Sequence, residues 1–135
     1  MALPDINLPI EVEGIFQKYA AGKDMLVDYV VQDLMVLLDR AESLNFRAEG
    51  ADSFDFFSNF VFLGRISIER AKHKLRMLCA RLCVLCNEHG GGISSPYGGA
   101  SNFSWMLPDG KHLPVYLSFC NTPDRQEIVL RKRCT

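Results

Sequence analysis

The spacing of apolar residues in this chain changes once, at the triple glycine Gly90-Gly91-Gly92. Before it, apolar residues recur at steps of three and four, the period of a helix buried on one side. After it they alternate, the period of a strand with one buried face. Helical pattern first and strand pattern last predicts an α+β fold, because a doubly wound sheet requires the two to alternate along the chain. At 135 residues and 15.2 kDa the chain fits one core, so residues 1–135 are expected to form a single α+β domain.

Two long helices are expected. In the first, from about Lys23 to Leu44, Leu26, Val30, Leu34, Leu37, Ala41 and Leu44 form a continuous stripe. Asp24 and Asp28 near its start and Arg40 near its end complement the helix dipole. Met25, Tyr29, Val31, Met35, Val36 and Leu38 widen the apolar surface beyond the stripe, so this helix should be covered on more than one side, within the fold or across a dimer contact. The second helix is expected to start after Ser67, a good N-cap, and to run to His89. Ile68, Ala71, Leu75, Leu78, Leu82 and Leu85 make its seam, while Arg70, Lys74 and Arg81, with Lys72 and Arg76 beside them, make its polar surface basic.

Shorter helical pieces are expected at residues 10–21, where Gly22 supplies a stop, and within residues 45–66, where Asp52 or Ser53 could serve as a cap. The second stretch holds Phe54, Phe56, Phe57, Phe60 and Phe62. Adjacent Phe56 and Phe57 break a period of two, and Phe56 to Phe60 fits a helical step, so these aromatics are read as helical core residues.

Strands are expected only in the C-terminal third, as an antiparallel meander of three to four. Phe103, Trp105 and Leu107 alternate with Ser104 and Met106, Pro108-Asp109-Gly110-Lys111 marks a turn, and Leu113, Val115, Leu117 and Phe119 alternate again. A third strand follows at Glu127–Arg131. Pro114 suggests a bulge or a pairing that begins only after it.

The net charge of −1 hides a division: residues 1–60 carry eleven acidic and four basic side chains, residues 61–135 five acidic and eleven basic. Internal pairing between the halves is the plainest reading of such a split. With 48% apolar and 23% charged residues, the composition excludes a disordered chain or a collagenous repeat. The start Met1-Ala2-Leu3-Pro4-Asp5 has neither the basic nor the apolar part of an export signal, and no run reaches the roughly 18 apolar residues of a membrane span, so a cytoplasmic location without membrane contact is expected.

Cys79, Cys83 and Cys86 show the C-x3-C-x2-C spacing of some iron–sulfur sites, but cluster ligands converge from a loop, and these three sit at helical steps beside the Leu seam. They are read as packed thiols, and neither metal nor cofactor is expected. His89-Gly90-Gly91-Gly92 resembles the letters of an esterase oxyanion loop, yet there is no G-x-S-x-G nucleophile to accompany it. The stretch from Gly90 to Gly99 lacks the Lys-Ser/Thr ending of a phosphate-binding loop.

The sequence therefore points to a small non-catalytic binding or regulatory protein acting through a protein partner or as a homodimer. A second reading is a small-ligand-binding domain or enzyme with a pocket between sheet and helices lined by Tyr97, Trp105, His112 and Tyr116. A third is nucleic-acid or anion binding by Arg70, Lys74 and Arg81.

Overall fold

A computed structural model describes residues 7–21, 24–89 and 94–133 of the chain. Helix α1 (Leu8–Lys18) leads through the two-residue strands β1 (Ala20–Ala21) and β2 (Asp24–Met25) into α2 (Val27–Ala41). A first meander follows, β3 (Ser43–Ala48), β4 (Ser53–Ser58) and β5 (Val61–Ser67), then α3 (Ala71–His89), then a second meander, β6 (Gly98–Met106), β7 (His112–Thr122) and β8 (Arg125–Lys132). The fold is α+β, but the expected arrangement of two long helices on a C-terminal meander of three or four strands is corrected. The two meanders join through β3 and β8 into one antiparallel sheet of order β5-β4-β3-β8-β7-β6.

The helix expected within residues 45–66 is replaced by strands, and the physical reason lies in the phenylalanines. Phe54 and Phe56 stand on the inner face of β4 and are fully buried. Phe57 stands on the outer face, half-buried against Phe62 at 5.5 Å between ring centroids and beneath the Arg47 guanidinium at 4.9 Å. Aromatics on both faces erase the period of two. The register also slips here: Phe56 pairs with Gly64 and Phe57 with Phe62, leaving Leu63 of β5 as the extra residue of a β-bulge. Asp52 does not cap a helix in its own segment; its Oδ1 accepts a hydrogen bond from the Arg70 backbone N–H at 2.9 Å.

The helix boundaries shift for equally local reasons. Glu42 adopts φ 72°, a left-handed turn that ends α2, and its N–H bonds the Leu38 carbonyl at 2.8 Å, so Leu44 belongs to β3. Ser67 closes β5, and α3 begins at Ala71. In α1, Phe16 is buried and Ile10 is exposed. The expected stops at Gly22 and at Gly90–Gly92 lie outside the described residues. In the second meander the expected strands and turn are present, and Pro114 pairs with Ser104 of β6, while pairing with β8 starts at Val115.

All three helices pack on the inner face. Phe16 of α1, Phe46 of β3 and Phe54 and Phe56 of β4 form an aromatic cluster with centroid distances of 5.1 to 6.1 Å, and Phe46 touches each of the other three. Leu75, Leu78, Leu82 and Leu85 of α3 meet Val115, Leu117, Ile128 and Leu130 in the same core. The outer face is covered by its own long side chains: Asp55, Arg47 and Glu127 stand in register beside Arg65, and the Arg131 guanidinium lies 4.7 Å from the Tyr116 ring.

The charge split is partly answered inside the molecule. Arg65 pairs with Asp55 at 2.9 Å, Arg81 with Asp28 at 2.7 Å, and Lys111 and Lys132 both with Asp39, at 3.1 and 2.9 Å. Asp39 thus ties α2 to the β6–β7 turn and the end of β8. Hydrogen bonds from Lys132 and then Lys111 hold its carboxyl below the ordinary value of 3.8. A carboxylate with a lowered native pKa stabilises the fold fully above its unfolded value, and that contribution is lost as pH falls through the native value. Asp39→Asn is predicted to cost about 1 kcal/mol at neutral pH and to flatten the acid limb of the stability curve below roughly pH 4. Urea midpoints measured from neutral pH downward check this; parallel curves for the two proteins would contradict it.

Candidate functional site

The four residues read as ligand-binding are not brought together. Trp105 pairs with Leu113 and packs inward against the core, its indole N–H buried with no partner among the described residues. Tyr116 lies on the opposite, outer face with Arg131 over its ring. His112 sits exposed at the start of β7, its Nδ1 3.3 Å from the Ser104 hydroxyl. Tyr97 is exposed ahead of β6, where its carbonyl accepts from the Asn121 N–H at 2.8 Å.

The basic trio on α3 is also dispersed. Lys74 is only 6% exposed and donates through Nζ to the Glu69 carbonyl at 2.7 Å. Arg81 is engaged by Asp28 of α2. Arg70 lines a surface cleft in company with Lys72, His73 and Arg76, and neither Lys74 nor Arg81 lines that cleft.

Cys79 and Cys86 fall on the buried seam of α3, and Cys83 lies half-buried beside it, within 3.4 Å of the Ser95 carbonyl. Burial, with a smaller contribution from Cys120, pushes the Cys79 thiol up to about 12, and burial also raises Cys86. A buried thiol with a raised pKa is mostly protonated near neutral pH, which lowers its reactivity. Among the described residues, no group of three or more His, Cys, Asp or Glu is placed to hold a metal ion, and no helix is long and apolar enough to cross a membrane.

The sequence reading missed the β4–β5 hairpin. Its turn residues Asn59 and Phe60 have φ 52° and 66°, the left-handed backbone of a type I′ turn, in which the second position ordinarily carries glycine. Placing a phenylalanine there is unfavourable by roughly 1–3 kcal/mol. Phe60 is nonetheless 89% exposed, and Val61, Phe62 and Leu63 follow at 57%, 54% and 38%. These four consecutive apolar residues lie at the outermost strand of the sheet, where β5 has a strand neighbour on one side only. From Asn59 to Gly64 the run carries no charge, and the next cation along the chain, Arg65, is paired with Asp55 and Glu49. The available signal was Asn59 itself, a left-handed turn former between two aromatic-rich segments.

No protein-family model matches the chain, and no curated protein matches it.

Thiol labelling tests the packing of the α3 cysteines. In the folded protein Cys83 is expected to react with a maleimide, whereas Cys79 and Cys86 label only at the rate of unfolding. Fast native-state labelling of Cys79 would contradict the burial described.

Proposed function

We propose that the protein is a non-catalytic binding protein that works through a protein contact at the β4–β5 hairpin, and that the first partner of this hairpin is a second copy of the chain. The observation that carries the reading is Phe60: an aromatic side chain held in solvent by a left-handed backbone that would be better served by glycine. An unfavourable conformation that presents an apolar group to water has no folding rationale, and such outliers concentrate where a surface is used.

The choice of a second copy follows from charge and area. A two-fold contact sets a patch against itself, so any charge within it faces its like. The Asn59–Gly64 run is uncharged and meets that condition. Together Phe60, Val61, Phe62 and Leu63 offer roughly 400 Å² of apolar side chain per copy, on the scale of a functional patch and below that of an obligate dimer. The contact should therefore be reversible. The bulge at Leu63 disrupts the edge for strand addition, so side chains from the hairpin tip carry it, with no continuous ladder across the two sheets.

Phe60→Gly separates this reading from a purely structural one. Glycine relieves the left-handed strain, so the variant is predicted to be more stable by about 1 kcal/mol, while its self-association weakens by roughly tenfold or more. Sedimentation velocity over a concentration series, with thermal melts of both proteins, measures the two effects. A wild-type chain that stays monomeric at every concentration overturns the self-association.

A further inference from the structure

We propose that the cleft between the β3–β4 loop and the first turns of α3 binds a small phosphate-bearing ligand. Ala51 and Asp52 form one wall, and Arg70, Lys72, His73 and Arg76 the other, around a volume of about 310 Å³. That is the lower end of the size range of small-molecule sites. The walls are held in place by backbone bonds: the Lys72 N–H donates to the Ala51 carbonyl at 3.0 Å, the Ile68 N–H to the Asp52 carbonyl at 3.1 Å and the Arg70 N–H to Asp52 Oδ1 at 2.9 Å. A site whose shape is set before binding avoids the cost of ordering it afterwards.

The charge balance points to an anion. Among the described residues, every lysine and arginine other than Lys72 and Arg76 has an ion pair, hydrogen bond or ring contact. Those two stand four residues apart on α3 and line the same cleft. Like charges at that spacing repel and destabilise the helix. Among the described residues His73, between them in sequence, likewise has no partner. The lining holds Lys72 and Arg76 beside the single carboxylate of Asp52, whose Oδ1 accepts the Arg70 N–H. A phosphate group supplies several acceptor oxygens and the missing negative charge, and Arg76 can bind it through two parallel hydrogen bonds.

A nucleic-acid backbone would require the cations to continue along the surface. They do not: Lys74 is buried and Arg81 is neutralised by Asp28. The observations favour a compact phosphorylated compound over a polymer. This inference is independent of the hairpin contact, which lies at the opposite end of β5.

Calorimetric titration of pyrophosphate into the full-length protein at low ionic strength tests the assignment, beside Lys72→Glu/Arg76→Glu and a short single-stranded oligonucleotide. The wild-type protein should bind pyrophosphate saturably at one site, and the double variant should bind at least about tenfold more weakly with an undiminished melting temperature. The absence of saturable pyrophosphate binding, or equal binding by the variant, overturns the proposal. An oligonucleotide that binds more tightly than pyrophosphate and depends on Lys72 and Arg76 overturns the small-ligand assignment in favour of nucleic acid. Should the double variant melt earlier, Arg76→Gln alone provides the comparison, with the same criteria.

Discussion

The pairing of β3 with β8 is the contact on which the rest of the structure depends. Five residue pairs, from Ser43 with Arg131 to Arg47 with Glu127, join segments eighty or more residues apart and turn two three-stranded meanders into one sheet. Neither meander holds the core alone. Phe46 of β3 gathers Phe16, Phe54 and Phe56, while Ile128 and Leu130 of β8 lie in the core with the leucine seam of α3. The register places Phe46 opposite Ile128 and Leu44 opposite Leu130, so a slip by one residue would turn the apolar pair of one strand away from the helices. Contacts so distant in sequence must overcome the entropy of closing a long loop, and folding should be correspondingly slow.

The functional surfaces are consequences of this arrangement. Joining the meanders at β3 and β8 sends β5 to one margin of the sheet and β6 to the other. The β4–β5 hairpin then projects Phe60 beyond the core, and the turn from β5 into α3 brings Lys72 and Arg76 against the β3–β4 loop. On the broad outer face Arg47 lies over Phe57 and Arg131 over Tyr116. A charged stem laid over an aromatic ring buries apolar surface without needing a partner.

Much of the α+β class, the α3 seam and the C-terminal strands were legible in the sequence, since each buries one face and so shows a clean period. The first meander was not. Phe54 and Phe56 point inward and Phe57 outward, Leu63 adds a bulge, and the turn uses Asn59-Phe60 where Asn-Gly would have announced a hairpin. Each departure removes one of the signals by which a strand is recognised. On α3 the signal was present but misread: Lys74 stands three residues after Ala71 and four before Leu78, a spacing that turns it to the core. The spacing of Lys72 and Arg76 already placed them side by side, but only the fold supplied the opposing wall from Ala51 and Asp52.

Native-state hydrogen exchange tests the central role of the β3–β8 seam most directly. If the seam holds the two meanders as one unit, amides of β3, β4, β7 and β8 should exchange through a common opening with the free energy of global unfolding. Exchange of β6–β8 and α3 at a free energy well below that of β3–β5 would show two units that merely touch, and would contradict it.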